Sequence, residues 1–194
     1  MADSSPTAKA GLAHFVIDTR ASSFTVQAFV SGFLSAMGHN PTIGIEKFTG
    51  EVNFNPEAAE GNGFRLTIQA ASLTVRDDIS DKDRREMERL MKDVVLEVSK
   101  YPEIKYEASS ISITRLDGAQ YSAALSGALS FHGVTRNQPI TAQIAVLGEM
   151  LRAWGMFSLK QSDYQVKPVS VAGGALKLKD ELQFSFHMVA RKQD

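Results

Sequence analysis

The stretch Leu125-Ser-Gly-Ala-Leu-Ser-Phe-His-Gly-Val-Thr-Arg-Asn-Gln-Pro-Ile-Thr-Ala-Gln-Ile144 constrains the fold more than any other part of the chain. It reads as a strand, a tight polar connection and a second strand. The connection opens with His132-Gly133-Val134-Thr135 and closes at Pro139. Both arms alternate apolar with small or polar side chains, the pattern of a strand with one dry face. Arms joined by so short a link pair antiparallel.

The same period recurs along the chain. Phe24, Val26, Ala28 and Val30 share one face against Ser23, Thr25 and Gln27, with Phe29 the exception. Phe48, Val52 and Phe54 share another, and Gly50 on that face marks a bend. Phe64, Leu66, Ile68 and Ala70 alternate with Arg65, Thr67 and Gln69, then parity shifts near Ala71, as at a bulge. Further strands are expected over 103–114, 120–132, 139–147, 151–163 and 175–191. The last of these sets Leu182, Phe184, Phe186 and Met188 against Gln183, Ser185 and His187. Gly38-His39-Asn40-Pro41, Asp117-Gly118, Gly148 and Gly173-Gly174 supply turn chemistry.

One segment breaks the strand period. Met87, Leu90, Met91, Val94 and Val98 recur at helical spacing, and Ser80 with Asp83 forms a capping box. Pro102 blocks continuation, and Val94-Val95-Leu96 weakens the end. The stripe Met87, Leu90, Met91 and Val94 is expected to seal one end of the sheet. The count is therefore about eight strands and one amphipathic helix, an all-β antiparallel barrel whose closure removes exposed edges. Eight strands either fill their own centre or enclose one slender ligand.

Other chemistries lack their residues. With no cysteine, disulfides, thiolate metal sites and thiol nucleophiles are excluded. A net charge of −1 indicates no general attraction to nucleic acid or anionic membrane. The four histidines show no metal-ligand spacing, and Asp77, Asp78, Asp81 and Asp83 lack the Gly and terminal Glu of a calcium loop. No Gly-x-Ser-x-Gly elbow and no phosphate loop occur, and no cofactor is expected. No run reaches the roughly 18 apolar residues that span a bilayer. Met1–Gly11 lacks a basic start and an apolar run, so the expected location is cytoplasmic, or periplasmic if a signal was removed. Residues 1–13 are expected to be a disordered segment ahead of a single domain over 14–191.

Several segments together resemble the YceI-like family. They are Ser22-Ser-Phe-Thr-Val26, Phe48-Thr-Gly-Glu-Val-Asn-Phe54, Asp81-Lys-Asp-Arg-Arg-Glu-Met-Glu-Arg-Leu90, Lys100-Tyr-Pro-Glu-Ile-Lys-Tyr106, Leu125 to Thr135, and Leu182 to Val189. The ordered pair Tyr101-Pro102-Glu-Ile104 and His132-Gly-Val-Thr135 is the most specific part. The opening departs from the family, since no His immediately precedes Ser22. The resemblance implies an extended eight-stranded lipocalin-like barrel with a helix over one end, and an elongated cavity for an isoprenoid or other fatty, amphiphilic lipid. It implies no stable membrane insertion, and a homodimer is compatible with it.

On this reading Phe24, Val26, Phe48, Phe64, Leu66, Phe131, Trp154, Phe184 and Phe186 line the tunnel, and His39 makes the polar contact. Ala28, Ala70, Ala123 and Ala142 leave room for a ligand. The alternatives are an enzyme on a small apolar substrate with His39 or His132 as acid–base group, and a ligand-free interaction or stress-response module whose phenylalanines simply fill the core. His132 has an equally simple role in its turn, and Arg84-Arg85 in solvating a helix face.

Overall fold

The computed structural model describes residues 11–31, 39–58, 60–171 and 176–193. Residues 1–10 of the segment expected to be disordered, residues 32–38 of the Gly38-His39 connection, and the Gly173-Gly174 turn lie outside them. The strands are β1 (Ala13–Ile17), β2 (Ser23–Ser31), β3 (Thr42–Ile45), β4 (Phe48–Phe54), β5 (Gly63–Gln69), β6 (Leu73–Val75), β7 (Glu103–Arg115), β8 (Gln120–Phe131), β9 (Val134–Leu147), β10 (Met150–Lys160), β11 (Ser170–Val171) and β12 (Leu176–Lys192). Among the described residues one α-helix, α1, spans Asp81–Arg89.

The sheet closes on itself. The ring runs β1-β4-β5-β7-β8-β9-β10-β12 and returns through β12 to β1, every pairing antiparallel. This is an eight-stranded barrel with the lipocalin-like layout, and three of its walls are broken strands. β1 and β2 are two arms of one wall, both against β12. They bend at Asp18–Ser22, where Ser22 Oγ donates to the Asp18 carbonyl (2.7 Å) and accepts from the Val189 amide (2.9 Å). Arg191 Nε donates to Asp18 Oδ2 at 2.9 Å, and that guanidinium holds the Asp18 carboxyl below its ordinary pKa. β3 and β4 form a second wall, interrupted at Glu46-Lys47. In the third, a single 3₁₀ turn over Ala70–Ser72 separates β5 from β6. This turn, rather than a simple bulge, produces the parity shift near Ala71.

The hairpin that opened the sequence reading is tighter than expected. Phe131 pairs with Val134, and only His132 and Gly133 connect the strands. Both have positive φ, 50° and 76°, as a type I′ turn requires. Thr135–Gln138 therefore belongs to β9 and not to the connection. β9 pairs with β8 from Val134 to Ala145, but with β10 only from Gln143 to Leu147. Pro139, which has no N–H, lies on the half of β9 facing β10 without a paired partner.

α1 starts as read: Ser80 Oγ accepts from the Asp83 amide at 3.1 Å. Its continuation over Leu90–Val95 winds as a π-helix, with the Leu96 amide bonded to the Met91 carbonyl. The extra residue per turn rotates the apolar stripe. Val95, and not Val94, faces the barrel; Val94 is 63% exposed. Arg84 donates to the carbonyls of Val75 and Asp77, pinning the helix start to the end of β6.

The helix, the end of β6 and the segment 161–169 share one end of the barrel, here the mouth. The opposite end, the foot, is closed by packed side chains. Phe15, Tyr121 and Ala190 are buried there at 2%, 7% and 0% exposure.

Candidate functional site

Between the helix and the foot the barrel encloses a cavity of about 450 Å³. That lies within the range of roughly 300–1,000 Å³ typical of small-molecule sites. Its walls are the inward residues of every strand in the ring except β1. Inward side chains alternate with outward ones, so the cavity surface is almost wholly hydrocarbon. Small residues make the space: Ala28, Ala123 and Ala142 line it, whereas Ala70 sits buried in the 3₁₀ turn outside it.

Eight of the ten anticipated site residues border this cavity. Phe24 and Val26 stand on β2, Phe64 and Leu66 on β5, Phe131 at the end of β8, and Phe184 and Phe186 on β12. His39 lies at the mouth, its side chain 56% exposed and its Nε2 3.8 Å from Asp77 Oδ2. The Asp77 carboxylate in turn accepts from the Thr42 amide at 3.0 Å.

Two anticipated wall residues do not. Trp154 is 39% exposed on the outer face of β10, opposite His187 and Gln143. Its neighbours Ala153 and Leu151 point inward. Phe48 is buried but does not border the cavity; its ring meets Phe24 edge-on at 4.8 Å. Trp154 falls on the outward phase of β10, whereas Phe48 keeps the inward phase it shares with Val52 and Phe54 and packs against Phe24, which does border the cavity.

His132 is also outside the cavity. Its side chain is 9% exposed, with Nε2 2.9 Å from Glu97 Oε2 and Nδ1 3.3 Å from the Tyr164 carbonyl. Tyr101 covers it at 4.5 Å between ring centroids. The imidazole thus ties the helix tail to the hairpin end and the 161–164 turn. Neither ring nitrogen reaches a cavity occupant.

The sequence reading missed Tyr106. This β7 side chain lies across Gly127, where an added Cβ would stand 2.5 Å from the ring. Its hydroxyl donates to the Gln138 carbonyl at 2.9 Å, on the part of β9 without a β10 partner. Burial pushes the phenol up to about 12. The alternation Ile104, Tyr106, Ala108 in 103–114 carried the signal. The helix contributes Met87, Leu90, Met91 and Val95 as a roof, two of them flexible methionines.

Polar atoms are few and already engaged. Asn62 donates to the Asn55 and Ala58 carbonyls, and Gln161 donates to the Lys179 carbonyl at 2.9 Å. Among the described residues no buried side-chain nitrogen or oxygen lacks a hydrogen-bond partner. The interior therefore asks an occupant for no polar group. His39 and the exposed Lys177 enter the lining at the mouth.

Residues 15–190 match the profile of the YceI-like domain. The chain belongs to the YceI-like domain family. Several solved structures share the fold. BcnA of Burkholderia cenocepacia aligns with a TM-score of 0.66 at 22% identity, covering 89% of this chain and 98% of that one. A polyisoprenoid-binding domain from Saccharophagus degradans aligns at 0.68 and 14% identity, covering 94% and 100%. The YceI protein of Campylobacter jejuni aligns at 0.57 and 16%, covering 78% and 85%. Among curated proteins none matches the chain significantly. At such identities the likeness speaks for the barrel. The YceI-like cavity described above is this chain's own, set by its own side chains. Among the described residues no helix is long and apolar enough to cross a membrane.

Proposed function

We propose that this YceI-like chain binds, sequesters or carries an isoprenoid or other amphiphilic lipid, tail inward, without acting on it chemically. The observation that carries the reading is a hydrocarbon-walled cavity of about 450 Å³ whose buried polar side chains are all satisfied. An empty void of this volume would cost roughly 11 kcal/mol at about 24 cal/mol per Å³. That equals the whole stability of an ordinary domain, about 5–15 kcal/mol. Filling it with apolar groups recovers this energy, whereas water gains few partners on such a wall. Each five-carbon isoprene unit buried contributes roughly 3–4 kcal/mol. A few units outweigh the lower estimates of association cost, about 4 kcal/mol.

The Saccharophagus domain, described as polyisoprenoid-binding, supports this ligand class. His39 and Lys177 are suited to face a polar head group at the mouth. The cavity volume speaks against a solid interaction module. The engagement of His132 with Glu97 and the Tyr164 carbonyl speaks against its use as an acid–base group.

Calorimetric titration of delipidated protein with an isoprenoid alcohol tests the reading. One site per chain and a negative heat-capacity change are expected, the mark of apolar burial. Absence of saturable binding by isoprenoid and fatty ligands alike would refute it.

A further inference from the structure

We propose that the barrel meets a lipid bilayer sideways, on its uncharged outer wall around Trp154, and takes the tail in through a slit between β9 and β10. This rests on the lipid-binding reading above and adds the surface that collects the lipid.

The exterior has two unlike walls. On one, the outward positions of β8 from Ser122 to Ser130, β9 from Thr135 to Ala145, β10 from Trp154 to Ser158, β12 from Gln183 to His187 and β2 from Ser23 to Gln27 share a face in register. None of these positions carries Asp, Glu, Lys or Arg; Arg152 and Lys160 bound the wall on β10. Hydroxyl and amide side chains dominate it. Trp154 and Met156 stand near its centre, 39% and 65% exposed. The opposite wall is charged: Arg65 on β5 donates to Glu51 on β4 and to Glu107 on β7. A wall without charge gives up no ion hydration against a zwitterionic bilayer, and an indole suits the boundary of water and hydrocarbon.

The same wall is split. β9 and β10 part at Gly155, where an added Cβ would stand 2.6 Å from the Thr141 carbonyl. Among the described residues no pairing joins 134–142 of β9 to 155–160 of β10. The slit is tied at its top, where His132 Nδ1 lies 3.3 Å from the Tyr164 carbonyl and Arg136 Nη1 lies 3.8 Å from Asp163 Oδ1. Ile140 on one lip and Phe157 and Leu159 on the other border the cavity.

The β9 lip is built to stay unpaired. Pro139 at its middle has no N–H, and its carbonyl accepts from Gln138 Nε2 at 3.1 Å. Such an edge is finished by its own side chains rather than by a further strand. The mouth lies under the helix, whereas a tail that passes the slit moves from one hydrocarbon surrounding to another without entering bulk water. Two apolar anchors hold the contact only transiently.

Trp154 is the chain's single tryptophan, so its emission reports this wall alone. The full delipidated chain, mixed with phosphatidylcholine vesicles, is expected to emit at shorter wavelength and to be quenched by bromine on the acyl chains. The response should be the same between about 50 and 500 mM salt. Transfer of an isoprenoid alcohol from these vesicles should speed up with vesicle concentration and slow by roughly tenfold in Trp154→Glu. Thr67→Glu, the same charge on the opposite wall, should leave transfer within about twofold. The chain has no cysteine, so one thiol probes the slit. Ile140→Cys should react with a polymer-linked maleimide roughly tenfold faster than Leu125→Cys, its register partner at the same height inside the ladder.

Emission that ignores phosphatidylcholine vesicles would overturn the docking wall while leaving vesicle-free binding of the alcohol intact. So would a response that needs anionic lipid and fades with salt. A doubled mass in sedimentation that Trp154→Glu abolishes would also overturn it, by placing a second copy on this wall. Equal thiol rates would overturn the slit. No binding of the alcohol in vesicle-free titration would overturn the lipid reading and this proposal with it. The emission measurement needs no substitution, so it decides the matter even where a variant fails to fold.

Discussion

Leu66→Arg separates a hollow barrel from a solid one. Leu66 is inward on β5, 9% exposed, and sits in register between Gly50 of β4 and Tyr106 of β7. In a filled core, an arginine there would have to displace neighbours and bury an unpaired charge, which costs several kcal/mol and unfolds a marginal domain. Here the side chain has a cavity of about 450 Å³ to enter. Water can follow the guanidinium through the mouth. The wall then loses mainly the Leu66 contacts, about 2 kcal/mol, or a drop of roughly 4–8 °C in melting temperature. A bound tail loses far more. The arginine takes the volume of about one isoprene unit and brings water with it. The resulting 3–4 kcal/mol weakens binding by roughly two to three orders of magnitude. The assay pairs thermal denaturation with titration of an isoprenoid alcohol, with Leu66→Met as the volume-conserving control. A folded Leu66→Arg protein that binds as tightly as the wild type would refute the placement of the tail. A chain that no longer folds would refute the hollow centre.

Other expectations follow from single contacts. Trp154→Ala, on the outer face, should leave affinity for the same alcohol within about twofold, since the substitution touches no cavity wall. His132→Ala should lower stability by about 2 kcal/mol in chemical denaturation, because it strips a buried partner from Glu97 and the Tyr164 carbonyl. An unchanged midpoint would show that the imidazole does not tie the helix tail. Tyr106 is held neutral, its folded pKa raised from 10.0 to about 12 by burial. A raised folded value means its stabilising contribution is complete below pH 10 and is lost as pH climbs through about 12. Melting temperatures measured across that window should fall more steeply for the wild-type chain than for Tyr106→Phe; parallel curves would contradict the burial of this phenol.

Much of the barrel was legible because a half-buried strand writes its burial in a period of two. β2, β5 and β12 carry one apolar and one polar face, and their inward residues are the cavity walls. Ser80 and Asp83 announced the helix start, since a cap is a local bond between near neighbours. β10 hid its phase. Leu151, Ala153, Phe157 and Leu159 face inward, yet Trp154 and Met156 on the outer face are just as apolar. Period alone cannot orient such a strand. The breaks at Glu46-Lys47 and Ala70–Ser72 have no proline and no glycine to mark them, and the packing of Phe48 against Phe24 is a tertiary contact, so neither was readable locally. The π-wound segment is a tertiary effect: the roof needs Met91, Val95 and Leu96 over the barrel, and the helix unwinds by one residue per turn to place them. The His-Gly pair at 132–133 was a two-residue turn signal that the polar run after it obscured.

The central claim is that the barrel centre is a lipid site. Native mass spectrometry of freshly purified protein, followed by solvent extraction of the same sample, measures this directly. The account predicts a mass above that of the bare chain, lost on denaturation and recovered in the extract as an apolar molecule with one polar end. A bare-chain mass, together with no uptake when the protein is offered isoprenoid and fatty alcohols, would contradict it.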